Sequence, residues 1–151
     1  MPAENALVPS PREVAERFVA ACSDLPKLAD LYAPRVVIEM PFAPPSFPTR
    51  MECTREELRA RFTATAQVRR YEEVDSVAIH ETADPEVVIV EYGVQGTVLA
   101  TGKQFALRFV LVMTVRDGVI VHSRDYSDPI AGARLLGMTD RLVEALTAQE
   151  G

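Results

Sequence analysis

"FALRFVLVMTVRDGVIVHSRDYSDP", residues 105–129, contains the most informative pattern in the chain. Two runs rich in β-branched and aromatic residues flank the turn-forming dipeptide "DG" at 117 and 118, a pattern that predicts a β-hairpin. The second run carries Arg124 and Asp125 beside a partner apolar enough to be a core strand. The question is whether Asp125 is a solvated surface carboxylate or a working acid or base in an apolar pocket.

The register of this hairpin determines which way Asp125 points. If "DG" alone forms a two-residue turn, Asp125 shares a face with Arg108, and Arg124 enters the most apolar stripe of the neighbouring strand. Burying an arginine is costly because its guanidinium is not deprotonated in proteins. This register therefore carries a large penalty.

A three-residue loop "RDG" is the alternative, with Gly118 left-handed in a bulge and Phe109 opposite Asp125. This register costs less, because a carboxyl can be buried in its neutral form. We therefore predict a positive φ at Gly118 and a pocket-facing Asp125. The competing interpretation is that Asp125 pairs with an arginine or caps the following turn. The apolar residues predicted to share its face are Phe109, Leu111 and Met113.

The rest of the chain predicts an α+β protein in which helices precede most of the strands. "SPRE" at 10–13 and "TREE" at 54–57 are capping boxes that begin two helices. Asp24 is expected to cap a short helix between them, which Pro34 ends. Four strand-like segments separated by turn formers predict an antiparallel meander with the helices on one face, all in a single domain of residues 1–151. The segments span 74–81, 86–99, 103–116 and 119–127.

Several apolar and aromatic side chains join Asp125 as candidates for a ligand pocket. Tyr32 lies on the stripe of the short helix, and Phe62 faces inward from the helix that begins after Thr54. Tyr92 faces inward, opposite Leu111, if residues 101 and 102 form a two-residue hairpin, whereas a bulge in the "GVQG" stretch at 93–96 would reverse its face. For each tyrosine the alternative is a core ring whose hydroxyl is satisfied internally. The predicted ligand-binding residues are Tyr32, Met40, Phe42, Phe62, Tyr92, Phe109, Leu111 and Met113.

Strand alternation sends two other carboxylates, Glu39 and Glu91, to the outer face. His80 and His122 lie in no pattern that suggests a ligand set, and no nucleotide-binding or serine-hydrolase motif occurs, so we expect neither metal nor cofactor. Cys22 is expected to be a buried, reduced thiol, as is Cys53.

Composition argues against two classes of partner. The net charge is −6, the isoelectric point is near 5.0 and the longest basic block is "RR" at 69 and 70, which disfavours nucleic-acid binding. No apolar run approaches the roughly 18 residues of a membrane span, and the N-terminus lacks the features of a signal peptide. We therefore expect a cytoplasmic protein that does not bind membranes.

The order of these elements, with "EMPFAPP" after the first strand and "DGVIVHSRDYSDP" before "ARLLG", resembles the nuclear transport factor 2-like superfamily. Within it, the chain is similar to SnoaL-like polyketide cyclases and ketosteroid-isomerase-related proteins, including the phenazine-biosynthesis A/B proteins. The resemblance implies a cone-shaped fold, in which a curved sheet wraps around helices and encloses an apolar pocket, and a dimer formed through the sheet. In the phenazine proteins an acidic residue of the matching stretch faces that pocket, and the corresponding position here is Asp125.

A carboxyl buried among apolar side chains has its charged form disfavoured, so its pKa rises towards neutrality. The sequence therefore predicts a cofactor-free isomerase, cyclase or dehydratase acting on a small, largely apolar metabolite of polyketide or phenazine type, with Asp125 relaying a proton. The rival hypothesis is a non-catalytic ligand-binding or dimerisation module. An epoxide-hydrolase activity like that on limonene epoxide is disfavoured, since it needs two pocket aspartates bridged by an arginine.

A homodimer is also predicted. The outer face of the last two strands is too apolar to remain wholly in contact with water, which favours a symmetric contact there. The apolar residues assigned to this face are Val110, Val112, Ile120 and Tyr126.

Overall fold

A six-stranded sheet organises the computed structural model, which describes residues 7–150. Its order is β2-β1-β6-β5-β4-β3, and all neighbouring strands are antiparallel except β1 and β6. The predicted α+β fold, with its long meander, is confirmed. The strands are β1 (Tyr32–Glu39), β2 (Arg50–Thr54), β3 (Arg69–Glu81), β4 (Val87–Val98), β5 (Gln104–Arg116) and β6 (Val119–Ser127).

Among the described residues 7–150, five α-helices accompany the sheet, and both predicted capping boxes are present. The Ser10 hydroxyl accepts a hydrogen bond from the Glu13 amide, and the Glu13 carboxylate accepts one from the Ser10 amide. Thr54 and Glu57 repeat this exchange, so both helices begin where the sequence predicts. The helices are α1 (Pro11–Ala21), α2 (Leu25–Leu28), α3 (Arg55–Val68), α4 (Pro129–Leu135) and α5 (Thr139–Gln149).

The short second helix ends earlier than predicted. A 3-10 turn at Ala29–Leu31 follows α2, and Tyr32 is already the first residue of β1. Pro34 therefore lies within a strand rather than after a helix. It is tolerated because the register between β1 and β6 shifts between Tyr32 and Val37, where the sheet ladder is already irregular.

The edge strand β2 was not predicted. It pairs with β1 from Arg50 opposite Glu39 to Thr54 opposite Arg35. Most of its five residues are at least partly exposed. A short edge strand with so few buried side chains shows little alternation of apolar and polar residues. This segment becomes a strand because it pairs with β1, and not because its residues prefer the strand conformation.

The β5–β6 hairpin closes with a two-residue turn. Arg116 pairs with Val119, and between them Asp117 and Gly118 have φ angles of 53° and 78°. Positive φ at both central residues is the type I′ geometry, whose twist matches that of the flanking strands. The positive φ predicted for Gly118 is confirmed, but the three-residue loop is wrong.

A β-bulge at Val121 reverses the consequence of that turn. Between the turn and residue 122, β6 holds one residue more than β5, and the extra residue is Val121. The bulge shifts the alternation of all the residues that follow. Asp125 therefore lies on the inner face despite the two-residue turn, and it pairs with Leu111 rather than with the predicted Phe109.

The two-residue turn, and not the bulge, places Ile120 on the inner face. Ile120 precedes the bulge, pairs with Val115 and is fully buried in the core. Its assignment to the outer face is therefore wrong. Val110, Val112 and Tyr126 lie on that face and are half-buried. Homodimerisation through this face stays a prediction.

The β4–β5 connection also differs in length from the prediction. Residues 99–102 form a four-residue loop, closed by a hydrogen bond from the Val98 amide to the Lys103 carbonyl. Tyr92 therefore pairs with Phe109 instead of Leu111. Because the loop is longer by two residues, the face is unchanged, and Tyr92 points inward as predicted.

The two glutamates expected on the outer face lie there, and each meets a histidine. Glu91 contacts His80 Nε2 at 2.7 Å, and Glu39 contacts His122 Nε2 at 2.6 Å. Among residues 7–150, none of the helices combines the length and the hydropathy that a membrane span requires.

Candidate functional site

A cavity of about 640 Å³ lies between the helices and the inner face of the sheet. Its walls come from α1, α3, the loop after β1, the inner side chains of β3 to β6, and the C-terminal helices α4 and α5. Most of the lining side chains are apolar. A volume of this size, with few polar groups, is typical of a site for a small organic molecule.

The structure brings eight of the nine predicted site residues together around this cavity. Met113 is the exception, because it lies one inward position beyond Leu111 towards the hairpin turn and is fully buried in the core. Tyr32 reaches the cavity from the start of β1 instead of from a helix. The predicted residues that line the cavity are Asp125, Tyr32, Met40, Phe42, Phe62, Tyr92, Phe109 and Leu111.

Asp125 is positioned by β6, whose bulge turns it inward among the side chains of β5 and β1. Its carboxyl is deep in the protein but lines the cavity, so it keeps some contact with the space that a ligand would occupy. The hydroxyl of the fully buried Ser123 donates a hydrogen bond to Asp125 Oδ1. Ser123 and Asp125 are two residues apart on one strand and therefore share its inner face.

Burial raises the pKa of Asp125 from 3.8 to about 6, while the hydrogen bond from Ser123 and the charge of His122 act in the opposite direction. The physical cause is that few polar groups replace the water that would otherwise solvate the carboxylate. At neutral pH the group is thus mostly ionised but within about one pH unit of its midpoint. A carboxyl in this state can both accept and return a proton.

Two tyrosines stand near this carboxyl. Tyr32 and Tyr92 are 2% and 7% exposed, and burial raises the pKa of each hydroxyl well above 10, with the charge of Asp125 adding to the effect. Tyr92 stacks on Phe109 with the ring centroids 5.2 Å apart. Both hydroxyls therefore stay protonated and can donate a hydrogen bond to an oxygen atom of a ligand.

Cys22 also lines the cavity, and Phe18 accompanies it from α1. Burial raises the pKa of the Cys22 thiol to about 12, with Tyr92 acting in the opposite direction. A thiol with so little thiolate at neutral pH is a packing residue and not a nucleophile. Cys22 and Cys53 are both free and buried, as predicted. Among residues 7–150, no group of three His, Cys, Asp or Glu side chains is placed to hold a metal ion.

Sequence reasoning missed the two ends of the cavity. Arg69 and Tyr71 line it from the start of β3, which begins five residues before the predicted strand. In "RRYEEV", Tyr71 and Val74 are the only apolar or aromatic residues, and charged residues surround them. The segment therefore lacks the alternation that would predict a strand with Tyr71 facing inward. The segment of the C-terminal helices contributes further lining residues. Their apolar spacing predicted helical turns but did not show that these turns pack against the cavity. They are Ala133, Leu136, Met138 and Leu142.

Comparisons with known proteins agree with this architecture. Residues 15–123 match the family model of the SnoaL-like domain. An uncharacterized PhzA/B-like protein of Pseudomonas aeruginosa is 34% identical over 113 residues, which cover 72% of this chain and 75% of that relative.

Two solved structures show the same fold. A Bacillus subtilis protein provisionally named an isomerase superposes with a TM-score of 0.75 at 26% identity, covering 84% of this chain and 92% of its own. A Pseudomonas putida protein provisionally named a polyketide cyclase superposes with a TM-score of 0.70 at 16% identity, covering 84% and 98%. With its family match over most of its length, the chain belongs to the SnoaL-like domain family.

Proposed function

We propose that the protein binds a small, largely apolar metabolite in its cavity and catalyses a cofactor-independent isomerisation, cyclisation or dehydration, with Asp125 as the acid–base residue. The observation that carries the proposal is a single deep carboxyl, of pKa about 6, in the wall of an apolar cavity of about 640 Å³. Perturbed carboxyls in concave apolar sites are frequent acid–base catalysts. The provisional names of the two structural relatives are consistent with this class of reaction.

The chemistry needs no group besides the side chains present. The Asp125 carboxylate removes a proton from a carbon next to a carbonyl of the substrate, and the electron pair of that C–H bond moves into an enolate. The protonated carboxyl then returns the proton to another carbon in an isomerisation, or to a departing hydroxyl in a dehydration. In a cyclisation the enolate carbon attacks a second carbonyl, and the carboxyl protonates the resulting alkoxide.

The two buried tyrosines supply the electrostatic part of this mechanism. Tyr32 and Tyr92 both line the cavity and remain protonated. A hydroxyl donor fixed in an apolar site stabilises an enolate oxygen more strongly than water does, because the donor is already oriented when the charge develops.

The test uses a simple carbon acid as the probe. 2-Tetralone is an apolar bicyclic ketone whose protons next to the carbonyl exchange slowly with D₂O, and NMR spectroscopy follows that exchange directly. We expect the wild-type protein to accelerate the exchange. Asp125→Asn should reduce the acceleration by roughly 10²-fold or more, because the amide keeps the shape of the carboxyl but cannot shuttle a proton.

Glu91→Gln is the matched control, since it makes the same chemical change on the outer face of β4. Glu91 is exposed and contacts His80, away from the cavity, so this variant should exchange 2-tetralone at the wild-type rate. If the wild type fails to accelerate exchange above buffer, or if Asp125→Asn keeps the full rate, the proposal is wrong. Tetralone binding without exchange would then support the ligand-binding module.

A further inference from the structure

Arg69 is a cavity residue that the proposed reaction does not use. It is the first residue of β3, is only partly exposed and lines the cavity. Within residues 7–150 its Nε atom is buried and has no hydrogen-bond partner. Leaving a buried donor of a charged group unsatisfied is costly, so its retention suggests a partner that occupies the cavity.

Burial raises the pKa of the Tyr71 hydroxyl, and the charge of Arg69 and a hydrogen bond from it act in the opposite direction. This partner is neutral, so it leaves the charge of Arg69 available to a ligand. The guanidinium carbon of Arg69 lies 5.8 Å from the centroid of the Tyr71 ring, and Tyr71 in turn packs edge-on against Phe105. Among the described residues, no carboxylate lies within 4.0 Å of Arg69. Its neighbour Arg70 differs, because it is exposed and its Nη2 atom lies 2.8 Å from Glu72.

Charges around the cavity are unevenly distributed. Asp128 is one of only two carboxylates among the described lining residues, and it accepts hydrogen bonds from backbone amides at the start of α4. Asp125 is the other. The lining arginines outnumber them, and none has a carboxylate within 4.0 Å among residues 7–150. These arginines are Arg61, Arg69, Arg108 and Arg141.

The cationic and acidic positions lie on different parts of the cavity wall. Arg69 is on β3 and Asp125 is on β6, and these strands are third neighbours in the sheet. The two positions also differ along the strands, because Arg69 is opposite Val98 of β4, whereas the row of Asp125 crosses β4 at Val90. An anionic group is attracted by the guanidinium and repelled by the Asp125 carboxylate, so the two positions orient a molecule that reaches both.

We propose that the ligand of this cavity is an apolar carboxylate whose acid group pairs with Arg69, while the apolar body extends towards Asp125. The planar guanidinium presents parallel N–H donors that match the two oxygens of a carboxylate. This proposal rests on the proposed function only in taking the cavity as the ligand site. It adds the substrate class and the direction in which the substrate lies. Arg69 is thus a specificity residue and not a proton-transfer residue.

Isothermal titration calorimetry at pH 7 with two matched probes tests the proposal. 2-Naphthoate carries an ionised carboxylate, and 2-naphthamide has nearly the same shape without the charge. We expect the wild-type protein to bind naphthoate at least about 10-fold more tightly than naphthamide, the scale of one charge-assisted hydrogen-bonded pair. Arg69→Met should weaken naphthoate binding at least about 10-fold and change naphthamide binding by less than about 3-fold.

Two further variants separate specific pairing from other effects. Arg70→Met removes a neighbouring positive charge outside the cavity and should leave the affinities for both probes unchanged. Arg69→Lys keeps the charge but loses the planar fork, so an intermediate affinity for naphthoate is expected. Intact naphthamide binding shows that a variant is folded.

Several outcomes would overturn the proposal. These are the absence of naphthoate binding, equal affinity of the wild type for both probes, an unchanged naphthoate affinity in Arg69→Met, or an equal loss in Arg70→Met. The neutral ketone used to test proton transfer carries no acid group. Failure of the 2-tetralone exchange therefore leaves the naphthoate result standing, and failure of naphthoate discrimination leaves the exchange result standing.

Discussion

The inner and outer faces of β6 carry polar residues at consecutive positions and place them in opposite environments. On the outer face, His122 contacts Glu39 at 2.6 Å, and the two side chains are 28% and 36% exposed. On the inner face, the fully buried Ser123 donates to Asp125, and burial raises the pKa of that carboxyl to about 6. One strand thus holds a histidine that contacts a glutamate on the outer face and, three positions further on, a candidate acid–base residue on the inner face.

The difference shows that the face of the strand on which a residue lies, and not the residue type, determines whether its side chain is a surface group or a candidate acid–base group. We call this face, set by odd or even position along the strand, the parity of the residue. The DG turn alone would send Asp125 outward to the face of Arg108, and the extra residue Val121 sends it inward. A single-residue bulge therefore decides whether this segment builds a site.

Inserting one alanine between Val121 and His122 is the change expected to have the largest effect. With the turn and the bulge retained, the insertion shifts all the later pairs by one, so that Arg124 would pair with Leu111 inside the apolar core and Asp125 with Val110 outside it. Because a buried, unpaired guanidinium is very costly, the free energy of unfolding should fall by more than about 4 kcal/mol, or the chain should fail to fold. Urea denaturation followed by circular dichroism measures this. Val121→Ala leaves the number of residues in β6 unchanged and should cost less than about 1.5 kcal/mol. An insertion variant as stable as wild type would show that parity is not decisive.

The second prediction concerns pH and has an intermediate effect. Because the pKa of Asp125 rises from 3.8 to about 6 on folding, the folded protein holds this proton over a pH range in which the unfolded chain has lost it. The contribution of Asp125 to the free energy of unfolding therefore falls as the pH rises from about 4 to about 6 and is constant above that range. The full change is at most about 3 kcal/mol, and water in the cavity reduces it.

Asp125→Asn removes this titration and is the comparison needed. Urea denaturation of both proteins at pH 4 and pH 7 should show the wild type losing up to about 3 kcal/mol relative to the variant at the higher pH. A difference between the two proteins that is the same at both pH values would contradict the raised pKa.

Ser123→Ala should have the smallest of the three effects. The serine hydroxyl favours the charged form of Asp125 by donating to it, so its removal should raise the pKa of Asp125 further, by roughly one pH unit. Carbon-13 NMR titration of the carboxyl measures the change directly. Ser127→Ala, two positions further along the same face than Asp125, should leave the titration unchanged, and an equal shift in both variants would rule out a specific role for Ser123.

Sequence patterns predicted the elements whose determinants are local. The capping boxes at Ser10 and Thr54 depend on residues three positions apart, and both begin helices as expected. Patterns failed where pairing creates the element. The first residues of β3, from Arg69 to Glu73, are largely charged and polar, and they form a strand because β4 provides the partner.

The candidate site was predictable to the extent that alternation is predictable. Phe109, Leu111 and Tyr92 were assigned to the inner face by parity, and all three line the cavity. Met113 faces the same side of the sheet but is part of the core. Alternation gives the face of a residue, but it does not tell how far along the strand the cavity extends. Arg69 was missed for a related reason, since its exposure to the cavity depends on how β3 and α3 close one end of it.

Local sequence patterns specify the α+β class, the helix starts, the meander and the apolar stripe beside Asp125, because capping, turn preference and period-two alternation act over a few residues. The bulge, in contrast, depends on how the strands pair. Strand β6 lies between β1 and β5, and Ile120 pairs with Tyr32 on one side and with Val115 on the other. Burying Ile120 in that layer while Ser123 and Asp125 also face inward requires one extra residue between them, and no pattern within β6 alone records that requirement.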